Sequence, residues 1–271
     1  MNKNIDLAGK SFWESQWSES GATLPINVSN DGLRNYQRRK FHERFQEIFA
    51  GLETRDKQLL ELGCAYSVWL PYFANEFGFK VSGLDYSETG CAVERQLLIE
   101  MNTEGEIICA DFFAPPQECL EKYDVLVSFG VAEHFTDTAG CLRAFSQFLK
   151  PGGIIYTLIP NMVGILGPIA KIINRPFYDL HMLLSAENLA EAHRQAGFAK
   201  VQSNYFMSVN FGVLNNFTGI EKGSVKWALN KAILYGLLGV TAFTWLLEGK
   251  VKDFKPNQTF SPYIVCTGYK E

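Results

Sequence analysis

The sequence predicts an α/β fold with a doubly wound parallel sheet. From Gln58 onward, short apolar runs alternate with segments of helical periodicity, and right-handed crossovers between parallel strands follow from that alternation. The predicted strands are Leu59–Leu62, Lys80–Leu84, Glu106–Ala110, Val125–Phe129 and Ile154–Ile159, and Ala199–Ser208 is a sixth. The predicted helices between the first five are about Ser67–Phe77, Ser87–Met101 and Thr136–Leu149. In such a sheet, ligands bind beyond the carboxyl ends of the strands, so the residues that follow each strand are interpreted together.

The first predicted strand ends in an acid and passes through small residues into a helix. Glu61 closes the apolar run, and Gly63, Ala65 and Ser67 leave room for a ligand near the backbone of the turn. A dinucleotide-binding loop would carry the pattern G-x-G-x-x-G, of which only Gly63 is present.

Two aspartates follow the next two strands. Asp85 stands about 20 residues after Gly63, the spacing of a carboxylate that binds ribose hydroxyls. Asp111 is placed to accept a hydrogen bond from an adenine amino group, and Tyr86 and Phe112 offer apolar surfaces beside the acids. Either aspartate alone is equally consistent with a strand-end or capping role, but the two together favour a site for an adenosyl compound.

An ordered series of motifs resembles the class I S-adenosylmethionine-dependent methyltransferases. The matching segments are Glu61-Leu62-Gly63, Gly83-Leu84-Asp85-Tyr86-Ser87, Ala110-Asp111-Phe112, Tyr123-Asp124-Val125, Glu133-His134-Phe135 and Leu149-Lys150-Pro151-Gly152-Gly153. The resemblance covers about residues 58–208 and a last strand near Tyr263–Tyr269. It implies a Rossmann-like seven-stranded sheet with an antiparallel last strand, S-adenosyl-L-methionine as cofactor and S-adenosyl-L-homocysteine as product.

The resemblance also implies a set of cofactor-binding residues and a division of the chain. The expected binding residues are Glu61, Gly63, Ala65, Asp85, Tyr86, Asp111, Phe112 and Phe129, with the ribose on Asp85 and the adenine near Asp111. The expected division is an N-terminal helical lid (1–57), the cofactor-binding core (58–208), a helical insertion (209–256) and the last strand (257–271).

Methyl transfer from a sulfonium requires an acceptor held in line, and some acceptors also need a base. The candidate bases are His134, directly after the fourth strand, and His181, in a loop that would border the acceptor. A structural hydrogen bond is the alternative for His181. His42 and His193 fall on helical segments and are expected at the surface.

Two helices are predicted before the first strand. Ser11–Trp17 is short, and Trp13 and Trp17 in it either close over the site or simply pack. Asp31 to Leu52 is longer, with Asp31 as its expected cap. The arginines of this helix are expected to form a solvated face. The alternative is that one of them pairs with a carboxylate of the cofactor or of an acidic substrate.

Composition excludes several partners. A net charge of −4 and a pI near 5.7 argue against nucleic acid, because phosphate binding needs a basic surface. The six cysteines form no C-x-x-C pair, and the first 20 residues lack an apolar core typical of a signal peptide, so we expect reduced thiols and a cytoplasmic protein. We expect no metal site, since no paired acids stand near a histidine in the sequence.

The insertion contains an uncharged run, Ala232–Leu247, which is shorter than the roughly 20 residues of a membrane span. The insertion predicts helices that cap the acceptor pocket or form a dimer contact. The alternatives are a helix within residues 225–247 that lies at a membrane surface, and a true membrane span. The favoured function is methylation of a small, fairly apolar molecule at oxygen, by a monomer or homodimer. The alternatives are a membrane-associated methyltransferase of a lipid or quinone precursor, and an inactive nucleotide- or partner-binding module.

Overall fold

A mixed sheet of seven strands organises the computed structural model, which describes residues 5–18, 25–217, 219–248, 250–251 and 254–271. The strands are β1 (Gln58–Leu62), β2 (Lys80–Asp85), β3 (Gly105–Cys109), β4 (Tyr123–Phe129), β5 (Leu149–Pro160), β6 (Phe198–Phe206) and β7 (Tyr263–Lys270). Their order is β3-β2-β1-β4-β5-β7-β6, and β7 runs antiparallel to both neighbours while the other pairs are parallel. The predicted Rossmann-like sheet is confirmed.

The described helices flank the sheet or extend from it. They are α1 (Lys10–Ser18), α2 (Tyr36–Ile48), α3 (Trp69–Phe77), α4 (Glu88–Glu100), α5 (Thr138–Ser146), α6 (Leu166–Ile173), α7 (Arg175–Asp179), α8 (Ala186–Gln195) and α9 (Val225–Leu247). Ser87 caps α4 and Asp137 caps α5, each accepting a hydrogen bond from a backbone N–H of the first turn. The Ser87 cap places the end of β2 directly beside the N-terminus of α4.

The predicted cap at Asp31 is wrong. The helix begins at Tyr36, after a 3-10 turn over Leu33–Asn35 whose own cap position is Gly32. The Asn30 side chain accepts from the Gly32 N–H and holds the preceding turn, which leaves Asp31 exposed.

Both faces of the sheet are covered by apolar layers. On one face, α2 and α3 contribute Phe41, Phe45, Phe49 and Phe73, which pack against β1 and β4. On the other, α5 and α8 pack against Leu60, Leu126 and neighbouring residues. Much of the high phenylalanine content therefore forms the core.

The prediction that His193 lies at the surface is wrong. His193 is fully buried, and its Nδ1 and Nε2 pair with the Leu189 carbonyl and the Thr157 hydroxyl at 2.8 and 2.9 Å. It follows Leu189 by one helical turn and so shares the face of α8 that packs on the sheet. His42 is partly buried on α2, and its Nδ1 contacts the Tyr72 hydroxyl.

The long helix between β6 and β7 is α9, and Gly236 and Gly239 do not interrupt it. Its inner face packs through Leu234 onto α6, Asn230 donates to the Ile173 carbonyl, and Trp245 donates to the Val209 carbonyl. The proposed chain division remains a prediction. Positions 1–4 and 19–24 of the predicted lid, and 218, 249, 252 and 253 of the insertion, lie outside the described residues.

Candidate active site

A cavity of about 360 Å³ opens at the carboxyl ends of β1, β2 and β4. Its floor includes Glu61, Gly63 and Asp85, and Phe129 and Phe112 form part of its walls. The predicted strand-end residues thus converge on one space, as a doubly wound sheet requires.

The turn after β1 depends on the small size of its residues. Gly63 has a φ of +75°, and a Cβ there would lie 2.4 Å from Cγ2 of Val131. Ala65 fits because Gly90 of α4 faces it; a Cβ on Gly90 would lie 2.5 Å from the Ala65 methyl. The turn therefore needs glycine at Gly63 and Gly90, while alanine suffices at Ala65.

Ser67 connects two buried acids. Its hydroxyl donates to the Glu61 carboxylate, whose oxygens lie 2.8 and 2.7 Å away, and its backbone N–H donates to Oε2 of Glu94 at 2.7 Å. Burial raises the pKa of Glu61, to which the nearby Glu94 also contributes, and burial raises the pKa of Glu94 to about 8. The hydroxyl explains why this position carries serine rather than a third glycine.

Asp85 fixes the loops on either side of it. Its Oδ2 accepts from the Ala65 N–H at 3.2 Å and its Oδ1 accepts from the Ser87 N–H at 2.8 Å. Burial raises the pKa of Asp85, and these two hydrogen bonds oppose the shift. Tyr86 follows it into the cavity, and its hydroxyl donates to Oδ2 of Asp6 at 2.7 Å.

Asp111 is the predicted residue that does not line the cavity. It is exposed, and its Oδ1 accepts from the Phe113 N–H at 2.8 Å, which is a local turn contact. Burial is the main cause of the raised pKa of Tyr86, the hydrogen bond to Asp6 adds to it, and the charge of Asp111 makes only a minor contribution. The neighbouring Phe112 is buried and lines the cavity. The contact between Asp111 and the adenine remains a prediction.

Helix α1 covers the cavity. Trp13 and Trp17 stack on each other at 5.6 Å and both line it, and Trp17 also stacks on Tyr66. The Glu14 carboxylate accepts from the N–H groups of Glu88 and Thr89 and so attaches α1 to the start of α4. The tryptophans therefore roof the cavity; whether α1 opens as a lid remains a prediction.

The cavity has a negative character. Asp6 and Asp85 contribute carboxylates, Glu61 contributes a buried acid whose pKa is raised, and no lysine or arginine is among the described residues that line the cavity. Aromatic rings surround these acids, and ring faces attract cations. The site therefore suits an aromatic ligand that carries positive charge, such as a sulfonium with an ammonium group.

A second pocket of about 330 Å³ adjoins the first and shares Trp13, Trp69, Phe129, Gly130 and His134 with it. Its remaining polar lining comes from Gln37, Glu133, His181, Asn216 and Tyr263. Residues from the α7 region and from 211–216 also border it, whereas α9 packs behind them. That an acceptor binds in this pocket remains a prediction.

Both predicted histidines line this second pocket. Nδ1 of His134 lies 2.7 Å from the Leu180 carbonyl and Nδ1 of His181 lies 2.8 Å from the Phe177 carbonyl. Each Nδ1 therefore carries the proton, and each Nε2 keeps its lone pair. Burial lowers the pKa of His134, and burial together with the neighbouring His134 lowers that of His181 to about 4, so both rings are neutral at pH 7.

Comparison with known proteins agrees with this geometry. A family model described as "Methyltransferase domain" matches residues 33–203, which is more than half of the chain. The chain belongs to the S-adenosylmethionine-dependent methyltransferases of class I. This membership makes it an enzyme that transfers a methyl group, and it favours that function over an inactive binding module.

Two curated relatives match this methyltransferase over about half of its length. Ubiquinone biosynthesis O-methyltransferase of Thiobacillus denitrificans is 28% identical over an alignment of 151 residues that covers 52% of this chain and 64% of that protein. The protein of the same name from Yersinia pestis is 30% identical over 140 residues, 52% of this chain and 53% of that protein. The chain thus matches between about half and two thirds of the length of these relatives.

Solved structures share the fold at low identity. A candidate sarcosine dimethylglycine methyltransferase from Galdieria sulphuraria has a TM-score of 0.62 at 14% identity, covering 97% of this chain and 98% of that one. Geranyl diphosphate C-methyltransferase from Streptomyces coelicolor has a TM-score of 0.60 at 9% identity with the same coverage. At these identities the likeness concerns the fold alone.

Sequence reasoning missed several residues of the site. Asp6 reaches Tyr86 because the N-terminal segment pairs with residues 134–136, through an isolated bridge between Asp6 and Phe135. Glu94 lies in the middle of α4, where its acid looks like any helix-surface residue. The sequence does carry a signal for the contact between α4 and the turn after β1. Gly90 lies three residues after the Ser87 cap, and a glycine inside a helix is disfavoured unless close packing requires it.

Proposed function

We propose that this methyltransferase methylates a hydroxyl oxygen of a small, fairly apolar acceptor. The observation that carries the proposal is the second pocket, whose aromatic wall is shared with the cofactor cavity and whose polar groups include two imidazole Nε2 atoms. A lone pair on a neutral imidazole accepts a hydrogen bond from a hydroxyl and thereby orients its oxygen. The names of the two curated relatives also support transfer to oxygen.

In this proposal the acceptor oxygen displaces the sulfonium sulfur in line. The new bond joins the oxygen to the methyl carbon, the bond from sulfur to that carbon breaks, and S-adenosyl-L-homocysteine leaves. The hydroxyl proton departs to an imidazole or to water. Holding the two reactants in line supplies most of the acceleration, and a base contributes about 10²–10⁴-fold.

A labelled cofactor tests the atom that is methylated. The enzyme is incubated with S-adenosyl-L-methionine that carries a deuterated methyl group and with size-matched phenols, catechols, amines and carboxylic acids. We expect mass spectrometry to find labelled methyl ethers of the hydroxyaromatic compounds. Labelled amines or esters without any labelled ether would contradict the proposal, and enzyme without acceptor is the control.

A second candidate function is methylation at a membrane surface. The exposure of the apolar helix α9 is the observation that favours it. By length and composition α9 is the helix in the described chain that qualifies as a membrane span, and only 17% of its most apolar window is buried. The exposed side carries apolar residues at helical spacing: Val225, Leu229, Ile233, Val240 and Phe243. Lys226, in the first turn of α9, is also exposed.

We propose that α9 lies on the surface of a cytoplasmic membrane leaflet, which would supply a lipid-like or quinone-precursor acceptor. An exposed apolar face of this length is rare on soluble monomers, and a helix with basic residues near its start suits anionic headgroups. A homodimer that pairs two copies of α9 is the competing outcome.

Flotation with vesicles of phosphatidylglycerol and phosphatidylcholine separates these outcomes. We expect the wild-type enzyme to float, and the Leu229→Asp/Phe243→Asp double variant to remain in the soluble fraction with at least tenfold weaker partitioning. Each side chain loses roughly 1.5–3 kcal/mol of burial in the bilayer interface. Ile99→Asp is the control, because Ile99 is an exposed apolar residue on α4, outside the exposed face of α9. Wild-type protein that stays soluble and dimeric would overturn the membrane proposal.

A further inference from the structure

Three buried ligand-type side chains meet in the acceptor pocket. Glu133, His134 and His181 each offer an atom, and these atoms lie within 4.8 Å of one another. Oε1 of Glu133 lies 4.0 Å from Nε2 of His134, and the rings of His134 and His181 are 4.9 Å apart. The first two residues follow β4 and the third follows α7, so only the fold brings them together.

The hydrogen bonds of the two imidazoles orient them as ligands. Each Nδ1–H donates to a backbone carbonyl, of Leu180 for His134 and of Phe177 for His181. Histidines that bind metal ions almost always donate their other ring N–H in this way, which fixes the tautomer and the direction of the ligating lone pair. Leu180 and Phe177 lie in the same segment as His181, so one short stretch of chain orients both rings.

Glu133 supplies the independent observation that points to a ligand. Its side chain is 1% exposed, and its Oε2 is buried without a hydrogen-bond partner in the described structure. No lysine or arginine is among the described residues that line this pocket. A buried carboxylate usually has a hydrogen-bond donor, an ion pair or a metal as partner.

We propose that Glu133, His134 and His181 bind one divalent first-row transition ion, which coordinates the oxygen of the acceptor. Two imidazoles and one carboxylate suit Zn²⁺, Co²⁺, Mn²⁺ or Fe²⁺ better than Mg²⁺, which prefers oxygen ligands. Ligands at about 2.0–2.2 Å from one ion lie roughly 3.5 Å apart, so each side chain moves inward by less than about 1 Å. Three protein ligands leave a coordination position open toward the pocket.

This inference rests on the proposed oxygen acceptor and changes the role of the two histidines. An imidazole that ligates through Nε2 cannot also take the hydroxyl proton through that atom. Coordination instead lowers the pKa of the bound hydroxyl, whose proton passes to solvent, and the oxygen then attacks the methyl carbon. The histidines therefore position the acceptor rather than act as bases.

Cobalt is a suitable probe because its visible absorption reports the ligands. The whole enzyme is freed of metal by dialysis against a chelator and titrated with Co²⁺ alone, with calorimetry in parallel. We expect one equivalent to bind, and we expect Glu133→Gln and His181→Ala each to weaken binding by at least tenfold. His42→Gln, which replaces a histidine outside the cluster, is expected to bind as wild type does.

The outcomes separate the metal site from the function. S-adenosyl-L-homocysteine affinity reports whether each variant is folded, and Glu133→Gln, which preserves side-chain shape, remains informative if His181→Ala does not fold. Wild-type enzyme that takes up no Co²⁺ or Zn²⁺, or variants that bind as tightly as wild type, would overturn the site. Stoichiometric binding lost in the variants, together with labelled amines instead of ethers, would retain the site and reject the oxygen acceptor.

Discussion

Asp85→Ala is expected to weaken the binding of S-adenosyl-L-homocysteine by about 10- to 100-fold. Hydrogen bonds to a charged group contribute roughly 1.5–3 kcal/mol, and each 1.4 kcal/mol is a factor of ten in the dissociation constant. The substitution removes the carboxylate expected to bind the ribose and releases the N–H groups of Ala65 and Ser87. Titration calorimetry measures the change directly.

Asp111→Ala is the matched comparison, because it removes an aspartate from the next strand end that is exposed and does not line the cavity. We expect a loss of about threefold at most, because water weakens the predicted hydrogen bond between an adenine amino group and this exposed carboxylate, and we expect thermal unfolding to show that both variants are folded. A folded Asp85→Ala enzyme with wild-type affinity would contradict the ribose assignment. A tenfold loss in Asp111→Ala would instead show that this carboxylate also reaches the cofactor.

The sheet and the cofactor side of the site were predictable because they depend on the alternation of strands and helices along the chain. Parallel strands joined by helices must bring their carboxyl ends to one edge, so Glu61, Gly63 and Asp85 had to lie near each other once the alternation was recognised. Asp111 shows the limit of this argument. A residue that follows a strand can turn its side chain onto its own loop, and no periodicity distinguishes that from binding.

The acceptor side was less predictable because long-range contacts build it. His181 reaches His134 only through the loop after α7, whose path no pattern of apolar residues specifies. The cluster of Glu133, His134 and His181 was not foreseen for the same reason, because His181 is remote in sequence from the adjacent pair Glu133 and His134. His193 illustrates the converse, because a polar residue on the buried face of α8 has the composition of a surface residue.

Gly63→Ala is expected to lower the unfolding temperature by roughly 5–15 °C and to impair cofactor binding. A left-handed backbone costs a residue with a Cβ about 1–2 kcal/mol, and overpacking adds roughly 1–3 kcal/mol. For a chain of this size each kcal/mol corresponds to about 2–4 °C. The overpacking is specific, since the new methyl would lie 2.4 Å from Cγ2 of Val131.

Gly152→Ala separates the two costs. Gly152 has a φ of +78°, close to the +75° of Gly63, but no heavy atom lies within 4 Å of a Cβ placed there. We therefore expect Gly152→Ala to lose only the backbone cost, roughly 2–8 °C, and to keep wild-type cofactor affinity. Equal losses in the two variants would mean that Val131 yields without cost.

The double variant Gly63→Ala/Val131→Ala tests the contact itself. Removing Cγ2 of Val131 eliminates the clashing atom, so the double variant should be more stable than the sum of the two single changes predicts. Recovery of stability alone would show that the contact limits folding of the turn. Recovery of cofactor affinity as well would show that the clash impairs binding by displacing the turn. Both Gly63 and Val131 line the cofactor cavity, so a displaced turn would change the shape of the cavity.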